Sequence, residues 1–315
     1  MQQLNIIVAG RFQLVAYLAD GGQGEVYEAI DLRTNQQVAL KIAPSDKAAD
    51  LAIENDFYDK LQRRRGTGML SALFFSDGLD DYAVLALPLL GPNLYDLFQY
   101  CDGSFSLKTV LLIADQVLLR LRFLHSQNII HRDIKPGNLI MGRGIDGNTI
   151  YLADYGLAGE KVQAPGNPLH YGNHREKSVV GTIEYASNGA HMFQCQTYRD
   201  DLESFGYLMV EFLTGGLPWN GVRSSPDRSR AEKIGEIKET ITLDELCEDV
   251  PNVFKEYFKH LQKLRYNERP DYAWLRKLFS SEFKRRGYKY DHVYDWTEER
   301  FREVNADAAN AAGAA

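Results

Sequence analysis

The chain has 315 residues, 44% of them hydrophobic, and a formal net charge of −7. That is enough apolar material for one large core or two smaller ones, and the acidic balance excludes nucleic-acid binding driven by bulk positive charge. No apolar stretch approaches the ~18 residues of a spanning helix, and no basic head with an apolar run opens the chain, so neither a membrane span nor a signal peptide is expected.

In chain order, the first pattern is a set of short alternating segments broken by glycines. It predicts three antiparallel strands over 12–18, 25–30 and 38–42. The first turn, Ala19-Asp20-Gly21-Gly22-Gln23-Gly24, lets backbone N–H groups approach phosphate oxygens with no Cβ in the way. A glycine turn alone is an ordinary hairpin. It gains weight because Val26 follows it and Val38-Ala39-Leu40-Lys41 stands on the third strand, a combination found in the kinase signature set.

Residues 46–61 carry helical spacing at Leu51, Ile53, Phe57, Tyr58 and Leu61. Glu54 within this helix is expected to pair with Lys41 and aim the ammonium at nucleotide phosphates. Strands are predicted over 70–75 and 82–87. The turn-rich connector Pro88-Leu89-Leu90-Gly91-Pro92 then separates a small β-rich lobe (1–88) from a larger helical one (93–296).

A long amphipathic helix over 107–126 leads into Ile130-His131-Arg132-Asp133-Ile134-Lys135-Pro136-Gly137-Asn138. The apolar runs 139–141 and 149–152 read as a hairpin that returns the chain to Asp154-Tyr155-Gly156. Both loops then leave one end of that hairpin and their side chains converge. Asn138 and Asp154 offer the oxygen ligands that magnesium requires. Asp133 takes a proton from an attacking hydroxyl, and Lys135 steadies a phosphate as a point charge. Any one of these residues is more simply a loop ion pair; the whole string in this order is not.

The segment from Asp154 to Thr182 is too long for a plain connector and is expected to be functional. Helices are predicted over 198–214, 243–264 and 272–287. The alanine-rich 306–315 has no means of burying a core and reads as disordered. Cys101, Cys195 and Cys247 lack metal-ligand spacing and read as reduced thiols in an intracellular protein, cytoplasmic or nuclear.

These parts describe a phosphotransferase cleft. The nucleotide is expected between the lobes, with Gly21 and Gly24 amides over its phosphates and Lys41 holding them. Catalysis then rests on positioning and charge neutralisation. Lys135, two residues past Asp133, suits a serine or threonine acceptor.

At this point the chain resembles a eukaryotic protein kinase of the casein kinase 1 superfamily over about residues 10–296. The narrower motifs are Leu87-Pro88-Leu89-Leu90-Gly91-Pro92-Asn93-Leu94-Tyr95-Asp96-Leu97-Phe98, Gly181-Thr182-Ile183-Glu184-Tyr185-Ala186-Ser187, Tyr198-Arg199-Asp200-Asp201-Leu202-Glu203-Ser204-Phe205-Gly206-Tyr207, Leu217-Pro218-Trp219 and Pro270-Asp271-Tyr272. The resemblance implies an α+β bilobal fold, with a β-rich N-lobe holding one helix and a mainly helical C-lobe. It implies ATP and Mg2+ as cofactors, protein substrates with Ser/Thr acceptors, no need for nucleic acid, and a monomer. It makes Leu87 the gatekeeper, sets Leu90 against adenine and Asp96 against ribose, and makes Asp201 a brace under the His131 loop. Leu18, Val26, Ala39 and Leu139 join the nucleotide-binding set.

Four positions depart from the pattern. Ala19 replaces a loop glycine, at a cost of about 1 kcal/mol if that position needs positive φ. Pro88 follows the gatekeeper but keeps the carbonyl that adenine uses. Tyr155 replaces Phe and Glu184 replaces Arg, as in the sister group of vaccinia-related kinases. Glu184 is expected to weaken the superfamily's preference for an acidic or phosphorylated residue ahead of the acceptor, unless it simply pairs with a nearby Arg. The competing reading, from another class, is a pseudokinase or scaffold that keeps the fold without catalysis; the presence of Lys41, Glu54, Asp133, Asn138 and Asp154 argues against it.

Overall fold

A computed structural model describes residues 6–313 apart from 22–23, 65, 80, 162–177 and 267, with backbone alone at 21 and 308–313. The chain divides into two compact units, 1–91 with 140–158, and 92–139 with 159–315.

In the first unit, β1 (Ile7–Val8), β2 (Phe12–Gly21), β3 (Gly24–Asp31), β4 (Gln36–Pro44), β5 (Phe74–Ser76) and β6 (Tyr82–Pro88) form one antiparallel sheet. Its order is β1-β2-β3-β4-β6-β5. Side chains alternate between the faces of a strand, so Val38 and Leu40 join Val8, Phe12, Leu14, Ala29, Val84 and Ala86 in one buried cluster. Fully burying a side chain of this size stabilises by about 1.5–3 kcal/mol. Lys41 falls on the opposite face. Helix α1 (Ala48–Gln62) packs there against β4 and β6, burying Leu51, Glu54, Phe57, Tyr58 and Leu61. One strand's alternation therefore both builds a core and delivers an ammonium to a helix.

The chain enters the second unit through α2 (Leu94–Tyr100), α3 (Leu107–Ser126) and β7 (Ile129–Ile130). It returns to the first in a hairpin, β8 (Leu139–Met141) with β9 (Ile150–Leu152). This hairpin is tied to the first unit by Gly91 N donating to Met141 O at 2.8 Å and Leu152 N to Gly68 O at 3.1 Å. The chain re-enters the second unit at β10 (Gly159–Glu160), antiparallel to β7. There follow α4 (Asn188–His191), α5 (Tyr198–Thr214), α6 (Arg230–Thr240), α7 (Leu243–Leu246), α8 (Asn252–Lys263), α9 (Tyr272–Arg285) and α10 (Asp295–Gly313).

Helix α3 packs against α5 and α9, and α8 against α5 and α9. The ends of the central helices are set by local chemistry. The Ser106 side chain accepts from Thr109 N at the start of α3. Thr197 and Asp200 form a reciprocal capping box at the start of α5, and Gly215 closes that helix at φ 80°. None of the described helices is long and apolar enough to cross a membrane, and the three cysteines form no disulfide.

Helices 107–126 and 198–214 match their predicted bounds. The helix predicted over 46–61 starts with a 3-10 turn, Ser45–Lys47, before α1. The predicted strand 70–75 is reduced to β5; Leu70 is buried outside any strand, after a lone parallel bridge between Met69 and Leu152. Of its apolar residues only Leu70 is buried; Leu73 is exposed, and Phe74 and Phe75 belong to the paired strand β5. The helix predicted over 243–264 is two helices, because Pro251 cannot continue a hydrogen-bonded turn and stands at the cap of α8. The alanine-rich end, expected to be disordered, is helical through Gly313; alanine is the strongest helix former and needs no core to favour that backbone. Helices α2 and α6 went unpredicted, although Ser229 and Glu232 form a capping box that the sequence displays.

Candidate active site

In the first unit three charged side chains meet. Lys41 Nζ lies 2.6 Å from Glu54 Oε2 and 3.4 Å from Asp154 Oδ1. Lys41 is 8% exposed and Glu54 1%. Burial works against the Lys41 charge, but the two carboxylates outweigh it and raise its pKa above the ordinary value. Burial pushes the Glu54 carboxyl up, with the Lys41 ammonium opposing.

Asp154 follows β9 and sits at φ 64°, a left-handed conformation that costs roughly 1–2 kcal/mol. Its amide donates to the Tyr58 hydroxyl at 3.1 Å, and the buried Tyr155 ring stands edge-on to Tyr58 at 5.0 Å. The strain is thus held by packing, as is common where geometry serves function. The Asp154 side chain stays 44% exposed, a carboxylate suited to a hard cation.

In the second unit the His131 loop is pinned from below. Asp201, 1% exposed, accepts from His131 N and Arg132 N at 2.8 Å each, and from His125 Nε2 at 2.7 Å. That leaves His125 Nδ1 to accept from the Tyr272 hydroxyl. Burial alone would raise the Asp201 carboxyl, but donation by His125 and by the His131 amide leaves its pKa below the ordinary value. Arg132 takes φ 67° in this turn.

The loop then presents Asp133, 6% exposed. Its Oδ1 accepts from Thr182 N at 2.8 Å and Thr182 Oγ1 at 2.7 Å, and its Oδ2 meets Lys135 Nζ at 2.7 Å. Asn138 Nδ2 donates to the Asp133 carbonyl at 2.9 Å. Its nitrogen is thereby spent on the loop, and the amide oxygen is the atom that suits a cation. Gly181, at φ 103°, passes so close to the Arg132 carbonyl that a Cβ would collide with it.

The structure thus brings together Lys41, Glu54 and Asp154 in one unit, and Asp133, Lys135 and Asn138 in the other. Val26 pairs with Lys41 across β3 and β4, and Ala39 with Leu87 across β4 and β6. Leu18 is exposed, Leu90 half-buried and Leu139 buried. Asp96 opens α2 in the second unit, its amide and carboxylate both bonded to the Asn93 side chain.

Gly21 pairs with Gly24 at the turn of β2 and β3; Gly22 and Gln23 lie outside the described residues. A Cβ on Gly24 would strike the Ile42 carbonyl, so this glycine is also required by the sheet. Ala19 is absent from the positive-φ residues and pairs with Val26, so the strain considered for it does not arise. Most of the segment between Asp154 and Thr182 lies outside the described residues.

Sequence reasoning missed Thr182 as a partner of Asp133, and Tyr58, His125 and Tyr272 as supports. Only folding reveals these, since each pair is distant in sequence. It also missed a cleft of about 550 Å3 in the second unit, lined among others by Lys135, Thr182, Glu184, Tyr185, Glu211 and Arg230. There Glu184 pairs with Arg230 at 2.5 Å, the arrangement weighed above for that acidic replacement. The protein kinase domain family model matches residues 12–282. Its span takes in the sheet from β2 onward, the Lys41–Glu54 pair, the Asp201-braced loop and all helices through most of α9, and the chain belongs to the protein kinase family.

Proposed function

We propose that the chain is an ATP-dependent serine/threonine protein kinase of casein kinase 1-like character, transferring the γ-phosphate of Mg-ATP to protein hydroxyls. The observation that carries this reading is the buried Lys41–Glu54 pair at 2.6 Å. Burying an ion pair is costly, and an apolar pair of similar volume stabilises a fold as well or better. Retaining it makes sense where the ammonium has an anion to hold, and a scaffold has no such need.

In this reading Lys41 fixes the α- and β-phosphates, with Gly21, Gly24, Leu18, Val26, Ala39, Leu87, Leu90, Asp96 and Leu139 completing the nucleotide set. Asn138 and Asp154 are the magnesium ligands. Mg-ATP supplies the electrophilic phosphorus and neutralises charge on the departing phosphate. Asp133 orients the acceptor hydroxyl and takes its proton, its own carboxylate held by Thr182 on one oxygen and Lys135 on the other. Lys135 steadies the transferring group. The serine/threonine assignment rests on Lys135 and on the likeness of the hinge and later motifs. We place the protein inside the cell, acting as a single chain.

The test is transfer of labelled phosphate from ATP to casein or a mixed peptide pool, followed by phosphoamino-acid analysis. Label on serine or threonine that disappears in Asp154→Asn is expected. No transfer, or transfer that survives the substitution, overturns the proposal.

A further inference from the structure

Lys238 is a buried cation that the proposed chemistry does not use. It lies in the last turn of α6 and is 2% exposed. A buried ammonium is ordinarily matched by a carboxylate. Here its hydrogen bonds go to the backbone instead, to the Ala186 carbonyl at 2.6 Å and the Ile183 carbonyl at 3.1 Å. His191 Nε2 stands 3.4 Å away, and the Tyr207 and Trp219 rings face the ammonium at 4.8 and 4.7 Å, a contact that favours the charged form.

The turn that Lys238 holds follows directly on Thr182. Each carbonyl along it has a partner. Ile183 O meets Lys238 and, at 3.2 Å, His191 Nε2; Glu184 O accepts from Trp219 Nε1 at 2.9 Å; Ala186 O meets Lys238. The amides of Tyr185 and Ala186 donate back to the Thr182 carbonyl at 2.9 and 2.8 Å. Thr182 is thus fixed to the turn on one side. On its other side its amide and hydroxyl hold Asp133 Oδ1. A charged donor binds a carbonyl roughly twice as strongly as a neutral one, so the charge on Lys238 bears on where Asp133 points.

Burial lowers Lys238 from 10.5 to about 7, against the opposing pull of the Glu203 and Glu184 carboxylates. The other ionisable groups facing it do not lose charge in that range. His191 on α4 is lowered to about 4, Tyr207 on α5 is raised well above 10, and Glu184 in the turn is paired with Arg230. Burial raises Glu203 on α5 from 4.5, but its ionisation as pH rises favours the ammonium and so opposes the loss of charge.

We propose that the charged Lys238 side chain is a positioning residue for phosphotransfer: it draws the 183–186 turn onto α6, sets Thr182 against Asp133, and makes the reaction weaken as pH rises through neutrality. This role rests on the protein-kinase reading, in which Asp133 meets the acceptor hydroxyl.

Two measurements keep this role and that reading separable. The first is amide hydrogen exchange without nucleotide, read by mass spectrometry over residues 180–188 and, as a reference, over α3. At pH 6.5 protection of 180–188 is expected to be tenfold or more lower in Lys238→Met than in the unmodified protein, with α3 unchanged. The difference should shrink at pH 8.5. If Lys238→Met does not fold, the unmodified protein decides alone. Its protection over 180–188, corrected for intrinsic rates and taken relative to α3, should fall fivefold or more from pH 6.5 to 8.5. Equal protection in the two proteins at pH 6.5, or a ratio that does not change with pH, overturns the proposal whether or not any peptide is phosphorylated.

The second measurement is kcat/KM for a serine peptide at saturating Mg-ATP from pH 6 to 9. The unmodified protein should lose activity above a midpoint of about 7, by fivefold or more at pH 8.5, with KM for ATP little changed. Lys238→Arg, whose guanidinium stays charged throughout, should abolish this decline, and Lys238→Met should be slow at every pH. A decline that persists in either variant, or none in the unmodified protein, overturns the proposal. Absence of phosphotransfer from all three proteins counts against the kinase reading alone, and the exchange result still decides what Lys238 holds.

Discussion

Replacing Lys41 by methionine separates what the buried pair does for stability from what it does for chemistry. The substitution leaves Glu54, 1% exposed, without the ammonium that stood 2.6 Å away. A buried carboxylate escapes its charge by taking a proton, and this sets an upper limit on the damage. From an ordinary value of 4.5, protonation at pH 7 costs about 1.36 kcal/mol per unit over two and a half units, or about 3.4 kcal/mol. Part is offset because the lysine no longer loses hydration on folding, so a loss of about 2–3 kcal/mol is expected at pH 7.

The sign of the pH dependence follows. In the variant the folded-state pKa of Glu54 lies further above its unfolded value. The penalty is therefore small at low pH and grows as pH rises, by about 1.4 kcal/mol per unit until the folded pKa is passed. Urea unfolding followed by circular dichroism at pH 5.5 and 7.5 measures it. Lys41→Met should unfold at lower urea than the unmodified protein at pH 7.5, and the gap should narrow at pH 5.5. Adding Glu54→Gln to the variant should recover most of the loss without restoring phosphotransfer. A variant as stable as the parent at both pH values, or a penalty equal at both, would refute the reasoning.

Three further outcomes are expected. Asp133→Ala should lower kcat by about 10²–10⁴-fold with ATP affinity little changed; near-normal turnover would sink its assignment. Asp201→Ala strips the acceptor from the His131 and Arg132 amides and from His125, at about 1–3 kcal/mol for each buried donor left unsatisfied, so Tm and activity should fall together; an unchanged Tm would refute the brace. Burial and the Lys238 ammonium lower His191 from 6.5 to about 4, so its neutral form contributes stability that is complete above pH 6.5 and lost as the pH falls through about 4. Between pH 7 and 5 the unmodified protein should therefore lose more Tm than His191→Gln, and parallel losses would show that His191 does not titrate on unfolding.

Much of the molecule was legible because its determinants are local. The short alternating segments placed the strand that carries Lys41; amphipathic patterning over 107–126 marked α3; the Asp133-to-Asn138 string marked a loop whose side chains meet within it. Where expectation and structure part, the cause is local too: the strand expected over 70–75 forms only from Phe74, with Leu70 buried outside it, and the alanine-rich end follows helix propensity without a core. What only the tertiary structure decided are contacts that close long loops. Thr182 reaches Asp133 across 49 residues, Tyr58 reaches the Asp154 amide across 96, and Tyr185 and Asn220 bring their donors to Glu211 at the end of α5. The energy of such contacts depends on burial and on which partners remain unsatisfied. Neither quantity exists until the chain has packed, so no spacing of residues records it.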